Sequence, residues 1–358
     1  MSLPLAQEIA NRLGMRTGMA FSRGSAGLYA LLASLARSDG PGEVIVPTLC
    51  CQVVGLAAAY AGHELRFADA SPHSLCATPE TVAPLMSTRT RAVVVAHVYG
   101  VDADADEFSA LRLKFPQAAF IEDVACALGG RDRHGKLLGG AMDYTLLSFA
   151  DDKIIPGDGG MLLFADGAVD PFKVAGEIPD RAPQASQRLM ARSLRDLTHG
   201  LADLQRESPS ARIGDAFVAV LDAYRDLIMR SGGIGDERAV ASGFDTLDED
   251  RSARYQNYSA YRDGVATEHA TVVELHNGST CWRCPILFDD PGRARMVTEE
   301  LRAAGVHASN HYFPLNLLWG DGRDPVAEDI SRRVVCVWTA GDTPRHMIDK
   351  GISIINHH

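Results

Sequence analysis

Short runs that are apolar along their whole length, set between longer helical stretches, constrain this chain most. EVIVP (43–47) is one such run, and the centre of RAVVVAHVYG (91–100) is another. A strand with one wet face alternates apolar and polar residues, whereas one apolar throughout has to be covered on both faces. ELRFAD (64–69), AAFIEDVA (118–125) and DYTLLSFA (143–150) read as further strands, with GGMLLFA (159–165) as the hairpin partner of the last. Between them CQVVGLAAAYAG (51–62), TPETVAPLMS (78–87, opening on a Thr cap) and ADEFSALRLKF (105–115) read as helices. Strands alternating with helices predict an α/β fold with a mainly parallel sheet, whose ligands bind beyond the carboxyl ends of the strands. His97, Asp123 and Ser148 fall at those ends.

The remainder has a different texture. At 358 residues the chain suits two domains of ~100–200 residues each. Residues 166–240 are charged and helical without clear strands, DAFVAVLDAYRDLIM (215–229) being the strongest helix. A division near 245 leaves 1–245 as a large α/β domain and 246–358 as a small α+β domain. The small domain would hold a helix (246–265), a strand pair around TVVEL and WRCPILF, a helix RARMVTEELRAAG (293–305), a strand VVCVW (334–338) and a final helix.

Composition excludes several classes. The net charge of −11 is dispersed, so no basic face offers itself to nucleic acid or an anionic membrane. The first residues, MSLPLAQEIANRLG, read as a short amphipathic helix and not as a signal peptide. No apolar run approaches the ~20 residues of a membrane span. Seven cysteines without framework spacing suit a reduced, cytoplasmic setting.

Three places could carry chemistry. Asp123 ends an apolar strand, where a carboxylate is costly to bury without a partner; a helix cap or salt bridge would satisfy it, as would a buried cation such as a protonated pyridine. Glu122 should face the other side of that strand. Lys153 follows the strand end at Ser148 by five residues and runs into a loop with Gly157, Gly159 and Gly160. Surface lysines are the common case, but a lysine at such a turn can reach a ligand, and a Schiff-base lysine needs that access. In FSRGSAGLYALLASL (21–35) the turn Gly24-Ser25-Ala26 opens an apolar helix. Its backbone N–H groups suit a phosphate, though a plain Ser cap explains them equally. CWRC (281–284) has no second cysteine pair and reads as strand, and GKLLGG (135–140) lacks the phosphate-loop order and reads as a hairpin turn. No metal site is expected.

In their order along the chain, these segments resemble the DegT/StrS-type sugar aminotransferases, fold-type I pyridoxal-phosphate enzymes of the aspartate aminotransferase superfamily. The likeness runs through GSAGLYALLASL, VVVAHVYG, FIEDVACALGG and GGAMDYTLLSFADDKIIPGDGGMLLF, and resumes at LDEDRSARYQNY, CPILF, EELRAAGVHASNHYFP and SRRVVCV. It implies a large domain built on a seven-stranded, mainly parallel sheet and pyridoxal 5'-phosphate as cofactor. Lys153 would be its Schiff-base lysine and proton carrier, and Asp123 would hold the pyridine nitrogen protonated. Gly24, Ser25, Ala26 and Ser148 would take the phosphate. His97, Tyr99, His311 and Tyr312 would lie towards the substrate. Small-molecule partners are implied, an amino donor (glutamate) and a keto-sugar, often nucleotide-linked, together with a homodimer whose active sites are shared.

The chain also departs from that pattern. Cys51 stands where the family usually stacks an aromatic on the cofactor ring, Cys126 where it usually has Gln, and Asp152 where Thr or Ser precedes the lysine. Asp152 should therefore point away from a phosphate or pair with an arginine. The family's NYR segment has no counterpart in 166–240. Two other readings stay open on the sequence: elimination, dehydration or substitution with the same cofactor, and a non-catalytic relative acting as regulator or partner subunit.

Overall fold

The computed structural model describes residues 4–169, 173–174, 176–177, 200, 223–228, 230–310, 312–319 and 322–358. After a first helix α1 (Leu5–Arg12), the strand β1 (Thr17–Phe21) leads into α2 (Gly24–Asp39), β2 (Glu43–Pro47), α3 (Gln52–Tyr60) and β3 (Glu64–Ala68). Then come β4 (Thr90–Ala96), β5 (Ala119–Asp123), β6 (Tyr144–Ser148) and β7 (Gly160–Phe164). They form one seven-stranded sheet in the order β1-β7-β6-β5-β4-β2-β3. The pairs among β2, β3, β4, β5 and β6 are parallel, and β7 runs antiparallel to both β6 and β1.

The all-apolar runs became the inner strands for the expected reason. Every residue of β2 is buried, as are Ala92 to Ala96 of β4. Each fully buried aliphatic side chain contributes about 1.5–3 kcal/mol, so a strand placed this way has no alternative site of similar stability. β1 gives little signal in sequence: TGMAF has small side chains, a glycine and only a half-buried pattern.

Two expected helices are shorter than the sequence suggests. In 78–87 the α-helix is the single turn Pro79–Val82, followed by a 3-10 turn Ala83–Leu85. Pro84 supplies no N–H to continue it, and Thr81 completes a capping box with Thr78. The 105–115 stretch begins as a 3-10 turn, Ala105–Phe108, and becomes α-helical only over Ser109–Lys114. The strand 91–100 ends at Ala96, and Val98–Gly100 curls into a 3-10 turn with Tyr99 at φ 60°.

A second, antiparallel sheet in the order β10-β11-β9-β8 is built from β8 (Ala270–Val272), β9 (Arg283–Phe288), β10 (Ala308–Ser309) and β11 (Val334–Trp338). Helices Leu247–Gly264 and Pro291–Ala303 pack on this sheet, and Arg345–Asn356 packs on both of them. One apolar cluster joins the two sheets, from Val94 and Phe120 to Ile286 and Val335. The helix expected over 215–229 lies outside the described residues except for its helical end, Arg225–Ile228. Among the described residues no helix is long and apolar enough to cross a membrane.

Candidate active site

A cleft opens at the carboxyl ends of β5 and β6. Its lining includes Gly24, Ser25, Cys51, Asp123, Ser148 and Lys153, brought from five separate stretches of sequence to one place. That convergence follows from the parallel sheet, which sets all its strand ends and helix starts on one edge.

One wall is the start of α2. Arg23 is its extended N-cap residue, the first turn carries no acidic residue, and the helix runs for 16 residues. The N–H groups of Ala26 and Gly27 are taken by the Arg23 carbonyl at 3.2 and 3.3 Å, so Gly24 and Ser25 supply the helix-start N–H groups on the cleft side. Ala26 is fully buried behind them. The helix can come this close because Gly24 meets Gly160: a Cβ added to Gly160 would lie 2.1 Å from the Gly24 nitrogen. Gly160 pairs with Ser148 across β6 and β7, which sets the serine beside the helix start. The loop before it is braced, since Gly157 and Asp158 donate to the Phe149 carbonyl at 2.9 and 2.8 Å.

Asp123 forms the floor. It is 9% exposed, its Oδ1 accepts from the Ala125 N–H at 2.9 Å, and no ion pair reaches it among the described residues. Burial raises its pKa, against the Ala125 N–H and the charge of Lys153. Adjacent Glu122 faces the opposite side of the strand, as the alternation demands. It accepts from the N–H groups of Gly139 (2.6 Å) and Ala141 (2.9 Å) and lies 3.2 Å from His97 Nε2. His97 Nδ1 accepts from the Ala103 N–H at 2.9 Å, so Nε2 carries the proton donated to Glu122. His97 and Tyr99 are thus buried behind the floor, outside the cleft lining. Tyr312 does line it, while His311 lies outside the described residues.

Lys153 enters from the opposite wall. Its Nζ lies 3.3 Å from Cys126 Sγ, and Cys126 Sγ lies 3.5 Å from the Tyr312 hydroxyl. Burial pushes the Cys126 and Cys51 thiols up, which keeps both neutral at ordinary pH. For Lys153, burial works against the ammonium, while Cys126, Asp152 and Cys51 work for it, and the net direction is up. With neutral thiols, Asp152 is the formal anion in that set. Asp152 lines the edge of the cleft, its carbonyl accepts from Trp282 Nε1 at 2.8 Å, and its charge also acts on Arg283.

Arg23, which precedes the Gly-Ser turn, also lines the cleft, as do Gln52, Asp158 and Tyr224, which were not expected there. Arg23 had a signal, as the cation preceding the Gly-Ser turn; Tyr224 had none. Among the described residues no cluster could hold a metal ion. CWRC splits between a turn, with Cys281 at φ 50°, and the start of β9. GKLLGG closes a small antiparallel bridge between Arg131 and Leu137.

The residues present fit pyridoxal phosphate. A buried carboxylate that no ion pair reaches among the described residues suits a cationic ring nitrogen, a glycine-lined helix start suits a phosphate, and a reachable amine stands across from both.

Comparison with known proteins agrees. The chain is similar to the UDP-N-acetyl-3-dehydro-alpha-D-glucosamine 3-aminotransferase of Acidithiobacillus ferrooxidans, at 32% identity over 46% of this chain and 45% of that one. It is similar at 27% identity to the L-glutamine:2-deoxy-scyllo-inosose aminotransferase of Streptomyces paromomycinus, over 93% of this chain and 79% of that one. The matches to the GDP-perosamine synthase of Caulobacter vibrioides and to the first of these span less than half the length of either relative. The fold is shared with Helicobacter pylori PseC, an aminotransferase involved in the biosynthesis of pseudoaminic acid. That likeness has a TM-score of 0.73 at 15% identity, over 98% of this chain and 89% of that one. Residues 3–172, which contain Asp123 and Lys153, match the model of the DegT/DnrJ/EryC1/StrS aminotransferase family.

Proposed function

We propose that this protein is a pyridoxal-phosphate-dependent aminotransferase that moves an amino group from glutamate or its amide to a ketone on a sugar or cyclitol. The observation that carries this reading is the placement of Asp123 and Lys153 on one cleft whose third wall is the glycine-lined start of α2. The activities of the relatives, on a dehydro-glucosamine and on an inosose, support a polyhydroxylated ketone as acceptor. Binding such a ring needs more than the carboxylate at the cleft floor, and Gln52, Tyr224 and Tyr312 offer hydrogen-bonding groups along the lining.

When bound, pyridoxal phosphate supplies a carbonyl carbon for the amino group and a ring that withdraws electrons. Asp123 would keep a proton on the ring nitrogen. The N–H groups of Gly24 and Ser25, with the Ser25 and Ser148 hydroxyls and Arg23, would hold the phosphate. Lys153 Nζ would hold the cofactor covalently and, once free, take a proton from the donor α-carbon and return it nearby. Cys126 and Cys51 would border the ring as neutral, apolar contacts. The division near 245, a homodimer with shared sites and a cytoplasmic setting belong to the same reading; the separate sheets and the seven free cysteines support the first and the last.

The test is direct. Purified chain mixed with the cofactor should gain a visible absorption band, and borohydride should fix the cofactor to Lys153 in a peptide map. With glutamate or glutamine and a keto-sugar or keto-cyclitol, one 2-oxo acid should form per amine. A chain that takes up no cofactor overturns the reading.

A further inference from the structure

Lys153 does not lie loose in the cleft. Its Nζ sits 4.5 Å from the ring centroid of Trp282, and the Nε1–H of the same indole donates to the carbonyl of Asp152 at 2.8 Å. One side chain therefore touches the end of the lysine and the backbone from which it extends. We propose that Trp282 is the positioning residue for the free amine of Lys153: its face carries the ammonium and its Nε1–H fixes the loop. The inference rests on Lys153 being the cofactor lysine.

Trp282 is itself held firmly. It is 1% exposed. Its backbone nitrogen abuts Gly100, where an added Cβ would lie 2.5 Å away, and Thr280 Oγ1 ties the preceding turn to the Ala127 carbonyl at 2.8 Å. Those contacts bind the start of β9 to the segments that follow β4 and β5. The lysine loop thus takes its position from both sheets. An indole that only filled space could be replaced by any ring; the donor aimed at the residue before Lys153 is what a phenyl lacks.

The hold is also a shared one. The Arg283 guanidinium lies 3.8 Å from the centroid of Trp282 and 4.0 Å from that of Trp338. Two cations drawing on one indole each weaken the attraction felt by the other, so the lysine is kept in place without being trapped. Among the described residues, Asp152, Asp123 and the two neutral thiols of Cys126 and Cys51 also act on the ammonium, and Tyr312 lies beyond Cys126.

The experiment compares cofactor uptake against pH in cofactor-stripped wild type, Trp282→Leu and Trp282→Phe, followed by absorbance. Loss of the π face destabilises the ammonium, so the midpoint for Trp282→Leu should fall by about one pH unit. Trp282→Phe keeps a π face and should move the midpoint by less than half as much. It loses the Nε1 donor, so amide exchange over 151–155 should quicken. An unmoved midpoint in Trp282→Leu, or an equal shift in both variants, overturns the proposal. Should Trp282→Leu not fold, indole absorbance titrations of wild type and Lys153→Met decide it. A transition present only in wild type supports the placement, and one shared by both overturns it. If the wild type takes up no cofactor, the aminotransferase reading fails, and the indole titration still decides where the lysine rests.

Discussion

Gly160 and Gly24 touch where β7 meets the start of α2, and a Cβ on Gly160 would lie 2.1 Å from the Gly24 nitrogen. The strand that closes the cleft and the helix that opens it are separated by hydrogen atoms alone. Backbone sets that distance on both sides, so no rotamer change can relieve a larger residue.

Gly160→Ala should therefore push the helix start outward. Overpacking of this kind costs about 1–3 kcal/mol, read as a lower denaturant midpoint with unchanged slope. The displaced N–H groups should also weaken affinity for pyridoxal phosphate more than for pyridoxal, which has no phosphate. Equal losses for the two would remove the start of α2 from the phosphate role.

Asp123→Asn should separate stability from function. Burial raises the pKa of Asp123. A carboxyl whose folded value exceeds its unfolded one favours the fold only below the unfolded value of about 3.9. That stability is lost as pH rises through the folded value, and the deficit persists at neutral pH. The cofactor-free Asn variant should thus melt higher than wild type at pH 7, with the gap shrinking as pH falls. Its cofactor affinity should drop by roughly tenfold or more, since the cationic ring nitrogen loses a charged acceptor. A lower melting point with unchanged affinity would assign Asp123 a structural role instead.

Apolar runs such as EVIVP and VVCVW declared their strands because burial on both faces leaves little choice of residue. The pair Glu122 and Asp123 was legible from alternation alone, and each faces its expected side. His97 shows the limit of that reasoning. A residue at a strand end can turn towards the ligand or back into the fold, and here the Ala103 N–H and Glu122, both fixed by later chain turns, draw it back. The Trp282 contact with Asp152 joins positions 130 residues apart, a distance over which no local pattern extends. β1 was silent because its register is set by β7 and not by its own side chains.

Labelling the thiols tests the cleft from another side. Burial pushes both Cys51 and Cys126 up, and the thiolate is the reactive form. Iodoacetamide should therefore modify neither quickly at pH 7. The partly exposed Cys51 should react first as pH rises, as followed by mass spectrometry. Bound pyridoxal phosphate should slow labelling of Cys51, which lines the cleft, and the protection should vanish in Lys153→Ala. Rapid labelling at neutral pH, unaffected by cofactor, would contradict the arrangement of this wall.

Glu122 makes the sharpest contrast with its neighbour. It is fully buried and accepts from two backbone N–H groups in the 139–141 segment and from His97. Hydrogen bonds to a charged acceptor contribute about 1.5–3 kcal/mol each, and a donor left unmet in the interior costs more than the bond it lost. Glu122→Ala strands three donors together and should lower stability by several kcal/mol, roughly 5–9 by that reckoning. Glu122→Gln keeps one carbonyl acceptor and should lose about half as much. Because Glu122 faces away from the cleft, cofactor affinity measured on the folded fraction of Glu122→Gln should stay within about twofold of wild type, as for a residue that touches no ligand. Denaturant titration and cofactor titration on the same samples would show whether the two neighbours divide the work in this way, the stability loss belonging to Glu122 and the binding loss to Asp123.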